Sequence, residues 1–175
     1  MKKLLSVVFL AAVLAACSNT PVPEDTGAPV ESRAGSGTDV KTVVAGDLDA
    51  SGLPRELTDP KSQLAQRSIY FDLDRYEVKS DYQGLVAAHA KFLTANPGFR
   101  VLIQGNTDER GSREYNLALG QKRADAVKKQ LVLLGAREDQ VESVSLGEEK
   151  PKNAGHDEAA FAENRRSDML YSGEF

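Results

Sequence analysis

The sequence predicts an α+β fold, a two-layer sandwich with helices on one face of a mixed β-sheet. Short segments of strand period alternate with longer segments of helical period. Gly, Pro and Asn mark the breaks between them. No internal repeat points to a solenoid. Alternation of this kind packs helices against a sheet.

Ser68 to Asp74 alternates at strand period, with Ile69, Phe71 and Leu73 on one face and Tyr70, Asp72 and Asp74 on the other. Residues 82 to 95 follow a helical pattern with a stripe of Leu85, Ala88, His89 and Phe92, and Asn96-Pro97-Gly98 ends it. His89 on that stripe reads as a core histidine. Phe99 to Gln104 is the second strand. Residues 113 to 134 form the longest helix, with an expected core stripe of Leu117, Ala124, Val127, Leu131 and Leu134, and Gly135 as its stop. Val141 to Leu146 is the third strand, His156 to Asn164 a short helix, and Arg166 to Tyr171 the last strand.

Between the second strand and the long helix lies Gly105-Asn106-Thr107-Asp108-Glu109-Arg110-Gly111. Leu119 and Arg123 are four residues apart and share a helix face. That face lies about 100° from Ala124, so Arg123 leaves the core stripe and points back toward Thr107 and Asp108. A guanidinium can hold a carboxylate through two parallel hydrogen bonds. Asp108 is then available to an ammonium, and the helix N-terminal amides favour an anion. The pair suits a ligand carrying both charges. From spacing alone, a structural Asp108–Arg123 ion pair beside a solvated loop is the simpler reading.

The chain has 22 basic and 26 acidic residues. Met1-Lys2-Lys3 is a short basic start, and Leu4 to Ala16 is apolar except for Ser6. That run is too short to span a bilayer and has the length of a secretory h-region. It ends in Leu14-Ala15-Ala16-Cys17, similar to a lipobox, which predicts a signal peptide over 1–16 and lipid on Cys17, the single cysteine. Cleavage there leaves 20 basic against 26 acidic residues, a net charge of −6. That balance argues against nucleic acid as a partner. Residues 17–60 are rich in small and polar residues and are expected to form a lipid-anchored flexible tail. Residues 61–175 are expected to form the folded domain.

The order of five motifs carries a resemblance. They are Tyr70-Phe71-Asp72-Leu73-Asp74, the Asp108 loop, Leu119-Gly120-x-x-Arg123-Ala124, Gly155-His156-Asp157-Glu158-Ala159 and Asn164-Arg165-Arg166. Together they resemble the OmpA-like family of peptidoglycan-binding domains, over roughly Ser68 to Tyr171. One departure is Asn106, where the family usually has His. The resemblance implies a noncatalytic protein without cofactor. Its ligand would be the diaminopimelate end of the peptidoglycan stem peptide, held by Asp74, Thr107, Asp108, Arg110, Asn116, Leu119 and Arg123. It also implies an outer-membrane lipoprotein whose domain faces the periplasm, with the propeller TolB and the Tol-Pal system as partners in cell division and envelope integrity. Ser18 after the cysteine favours the outer membrane.

The alternative from another class is a cell-wall hydrolase using paired carboxylates, Asp72 with Asp74 or Asp108 with Glu109. No nucleophile motif supports it. His156 beside Asp157 and Glu158 has the residue types of a metal site, but two histidines fifty or more residues apart with no cysteine near either make no zinc pattern. No metal is expected. Glu148-Glu149-Lys150 reads as a solvated charge cluster. The sequence leaves open whether Arg165 and Arg166 serve structural pairs or a partner surface.

Overall fold

The computed structural model describes residues 48–50 and 52–175. The expectations for the signal peptide, for Cys17 and for most of the tail lie outside them. Four strands, β1 (Ser68–Tyr70), β2 (Val101–Asn106), β3 (Val141–Gly147) and β4 (Arg166–Tyr171), form one sheet in the order β1-β4-β2-β3. β4 runs antiparallel to both β1 and β2, whereas β2 and β3 are parallel. The sheet is therefore mixed, as expected. The helices are α1 (Arg55–Thr58), α2 (Gln83–Ala95), α3 (Arg113–Leu133) and α4 (Glu158–Asn164).

α2 and α3 cover one face of the sheet. Ile69, Ile103, Met169 and Tyr171 from the strands meet Val86, Leu93, Val127 and Leu131 from the helices, all at most 1 % exposed. Burial of such side chains contributes about 1.5–3 kcal/mol each. His89 is fully buried, as its stripe predicted. Its Nε2 faces the Gln66 carbonyl at 2.9 Å and its Nδ1 the Tyr171 hydroxyl at 2.7 Å. The carbonyl can only accept, so Nε2 carries the proton and Tyr171 donates to Nδ1.

α3 approaches the sheet closely at two glycines. A Cβ on Gly105 would lie 1.9 Å from the Gly120 carbonyl oxygen, and one on Gly120 would lie 2.3 Å from Ser145 Oγ. The small residues set the depth of the helix in the sheet, and with it the height of every side chain on that helix.

Four expectations need correction. β1 ends at Tyr70, and Asp72-Leu73-Asp74 forms a turn with Leu73 55 % exposed. Phe71 still donates its amide to the Arg165 carbonyl, but the chain then turns at Asp74, whose φ is 55°. Leu117 and Leu134 are exposed: Leu117 lies beside the Leu146–Glu149 turn, and Leu134 follows the last helical residue. The buried side of α3 instead runs through Asn116, Leu119, Gly120, Arg123, Ala124, Val127 and Leu131. Finally, Leu53 and Leu57 are 2 % and 1 % exposed within the core, so packing begins upstream of the expected boundary at residue 61.

Candidate functional site

The turn after β1, the loop after β2, the first half of α3 and the end of α4 converge on one pocket. Its lining includes Asp74, Thr107, Asp108, Arg110, Asn116, Leu119 and Arg123, so all seven residues named from sequence meet there. Leu73, Tyr115 and Arg165 complete it. Its cavity volume is about 30 Å³, and it opens to solvent. Ser112 caps α3 by accepting from the Tyr115 amide. Residues 112–114 do not line the pocket, so α3 presents its side rather than its free N-terminal amides.

Arg123 is fully buried. Its Nε donates to the Arg75 carbonyl at 2.9 Å, Nη1 to the Asn106 carbonyl at 2.9 Å and Nη2 to the Asp72 carbonyl at 3.2 Å. Its guanidinium carbon lies 5.2 Å from the Phe71 ring centre. A guanidinium has five N–H groups, so two stay available. Burial pulls its pKa down to about 10, against the favourable charge of Asp108. It remains a cation at neutral pH. The side chain of Asn106 takes no part in this; the site uses its carbonyl, which any residue supplies.

Asp108 does not hydrogen-bond to Arg123. Its Oδ2 accepts from Arg110 Nη2 at 2.7 Å and from Arg165 Nη1 at 3.1 Å, and its Oδ1 from the Arg110 amide at 3.1 Å. Burial alone would raise its pKa, but the hydrogen bonds from Arg110 and Arg165 outweigh it and the net shift is downward. Two oxygens offer about four acceptor positions, so one remains. Arg110 and Arg165 also share Glu158, at 3.2 and 2.8 Å, and Arg110 stacks 4.5 Å over the Phe161 ring. Arg165 was undecided from sequence; 57 residues separate it from Asp108, and the antiparallel β2–β4 pairing, with Gly105 opposite Ser167, brings them together. Its neighbours in the motif are structural. Asn164 pins the 152–153 backbone, and Arg166 pairs with Asp168 and reaches the Lys150 carbonyl.

Thr107 is 3 % exposed, and its hydroxyl has no partner. A buried polar group without a partner costs about 1–3 kcal/mol, which a bound ligand would offset. Asp74 accepts from the Tyr115 hydroxyl across the outer end of the pocket. Asn116 is buried and donates through Nδ2 to Glu148. Glu148 is thus not merely solvated, as its charged run suggested.

The remaining candidates do not assemble catalytic chemistry. Asp72 is exposed and paired with Lys79, whose hydrogen bond lowers its pKa. With Asp108 also lowered, neither carboxyl is held protonated as a general acid needs. His156 faces Glu109 at 2.8 Å. Among the described residues no group of three or more His, Cys, Asp or Glu is placed to hold a metal ion.

Comparison with known proteins agrees with this architecture. The family model described as the OmpA family matches residues 70–165. The peptidoglycan-associated lipoprotein of Pasteurella multocida strain Pm70 is 41 % identical over 174 residues, covering 98 % of this chain and 100 % of that protein. The protein of the same name from Legionella pneumophila is 42 % identical over 97 % of this chain and 94 % of its own length. The crystal structure of the peptidoglycan-associated lipoprotein from Burkholderia pseudomallei is 59 % identical, with a TM-score of 0.65 over 66 % of this chain and 98 % of that one. The C-terminal domain of Helicobacter pylori MotB shares the fold at 20 % identity, with a TM-score of 0.56 over 60 % of this chain and 83 % of that one. Among the described residues no helix is long and apolar enough to cross a membrane. The ordered motifs, the mixed sheet, the converging pocket and these relatives place the chain in the OmpA family and, within it, among the peptidoglycan-associated lipoproteins.

Proposed function

We propose that the pocket holds the diaminopimelate end of a peptidoglycan stem peptide noncovalently. The observation that carries this is the buried Asp108 set among Arg110, Arg123 and Arg165, with the Thr107 hydroxyl unsatisfied beside it. The free amino-acid end of diaminopimelate bears an ammonium and a carboxylate. The remaining acceptor position on Asp108 suits the first, and the two spare N–H groups of Arg123 suit the second. Asn116 and Thr107 add neutral hydrogen-bonding groups, Leu119 an apolar wall, and Asp74 a second carboxylate at the outer end. Ligand entry parts Tyr115 from Asp74.

The same reading gives the chain a tethering role. Lipid on Cys17 holds one end in the outer membrane, the segment from Cys17 to the first packed leucine, Leu53, joins that anchor to the domain, and the domain in the periplasm grips the cell wall. TolB and the Tol-Pal system are its partners in this reading, as the shared family supports. Intact mass of the purified protein checks the anchor. An acylated Cys17 at the mature N-terminus is expected, and any other N-terminus overturns it.

Calorimetric titration of the full chain with soluble stem peptides tests the ligand. A diaminopimelate stem is expected to bind at least about tenfold more tightly than a lysine stem, which lacks the second carboxylate and its charge-assisted hydrogen bonds. Equal affinity for the two stems overturns the assignment.

A further inference from the structure

We propose that Glu148 is a positioning residue: it fixes which end of the Asn116 amide faces the pocket, and so selects a ligand ammonium there. The inference rests on the ligand reading above. β3 ends at Gly147, with φ of +53°. A Cβ on that glycine would lie 3.3 Å from the Leu117 amide nitrogen and 3.5 Å from the Asn116 carbonyl carbon, so the turn sits directly on the start of α3. The Thr107 amide donates to the Gly147 carbonyl at 2.8 Å, which ties the same turn to the Asp108 loop. The ladder slips by one residue there, so that Asn106 pairs with Gly147. Glu148 is the next residue, held from both sides, and its Oε2 accepts from Asn116 Nδ2.

An ionised carboxylate has no donor. It can bind only the NH₂ end of an amide, so Asn116 must turn that end toward Glu148. The acceptor Oδ1 is the end left for the pocket, which Asn116 lines together with Asp108. Two acceptors then meet the ligand ammonium, one charged and one neutral. A flipped amide would offer a donor instead and repel it. Glu148 does not line the pocket and acts only through Asn116.

The test is a titration of the full chain in detergent with two ligands, a diaminopimelate stem peptide and the same peptide with its free amine acetylated. Glu148→Gln supplies both a donor and an acceptor, so it no longer dictates the orientation. It is expected to weaken the free-amine stem by about tenfold and to leave the acetylated stem within about twofold. Glu148→Asp keeps an acceptor-only group and is expected to recover most of the preference for the amine. In the double variant Glu148→Gln with Asn116→Asp the bond is reversed. The new amide donates, the new carboxylate again presents an acceptor to the pocket, and amine preference should return. Equal weakening of both stems by Glu148→Gln, or no change for either, overturns the inference. A parent chain that binds neither stem overturns the ligand reading itself.

Discussion

In the proposed function Arg123 serves the ligand and the fold with one side chain. Three of its N–H groups hold the carbonyls of Asp72, Arg75 and Asn106, the last in a buried bond. Arg123→Ala therefore strands the buried Asn106 acceptor, at about 1–3 kcal/mol, and removes two part-buried bonds worth about 0.5–1.5 kcal/mol each. Chemical denaturation should show a loss of at least about 2 kcal/mol, so weakened binding by that variant would not isolate the ligand contact. Asp108→Asn is the cleaner probe. It keeps the size of the side chain while removing the charge that faces the ammonium, and a loss of about tenfold in affinity is expected from titration with a diaminopimelate stem. Unchanged affinity in a folded Asp108→Asn chain would move the ammonium elsewhere. The sequence made Asp108 and Arg123 legible because both belong to one strand–loop–helix unit. It did not reveal where Arg123 spends its hydrogen bonds, because carbonyls carry no sequence signature. Arg165 escaped for a different reason: its place depends on the long-range pairing of β4 with β2.

The order of strands and helices was legible, since each has its own period. Their limits were less so. Alternation runs on past Tyr70 into the turn at Asp74, and only the positive φ of Asp74 shows where the strand has stopped. Leu117 and Leu134 keep helical spacing with the core but lie beyond the ends of the packed layer. α1 was missed altogether. Its four residues are too few for a visible period, yet Leu57 is buried and Leu53 precedes it into the core. Arg67 donates to the Leu57 carbonyl at 2.6 Å, which ties this segment to the start of β1. A chain lacking residues 1–47 is expected to unfold at nearly the denaturant midpoint of the parent. One lacking residues 1–60 loses two buried leucines and should be less stable by about 3–6 kcal/mol. Equal midpoints for the two truncations would show that the segment adds nothing to the core.

For the molecule as a whole, acid is the condition to which stability is most exposed. Burial depresses the pKa of His89 from 6.5 to about 4. The unfolded chain therefore binds a proton that the folded one does not between those values. His89 contributes its full stabilisation above pH 6.5 and loses it as pH falls toward 4, by up to about 3 kcal/mol. The lowered pKa of Asp108 acts in the same direction at still lower pH. Urea midpoints measured from about pH 7 to pH 4 should fall, and NMR titration should find the His89 ring neutral down to near pH 5. A midpoint independent of pH across this range would contradict the depressed pKa of His89. The three carbonyls on Arg123 carry a further consequence if the domain is a tether. A pull on a ligand held by that guanidinium cannot peel its backbone bonds one at a time. It loads three anchor points together, in the turn after β1 and at the end of the central strand β2. Load at the grip is then shared between a turn and the end of a sheet strand rather than borne by one loop.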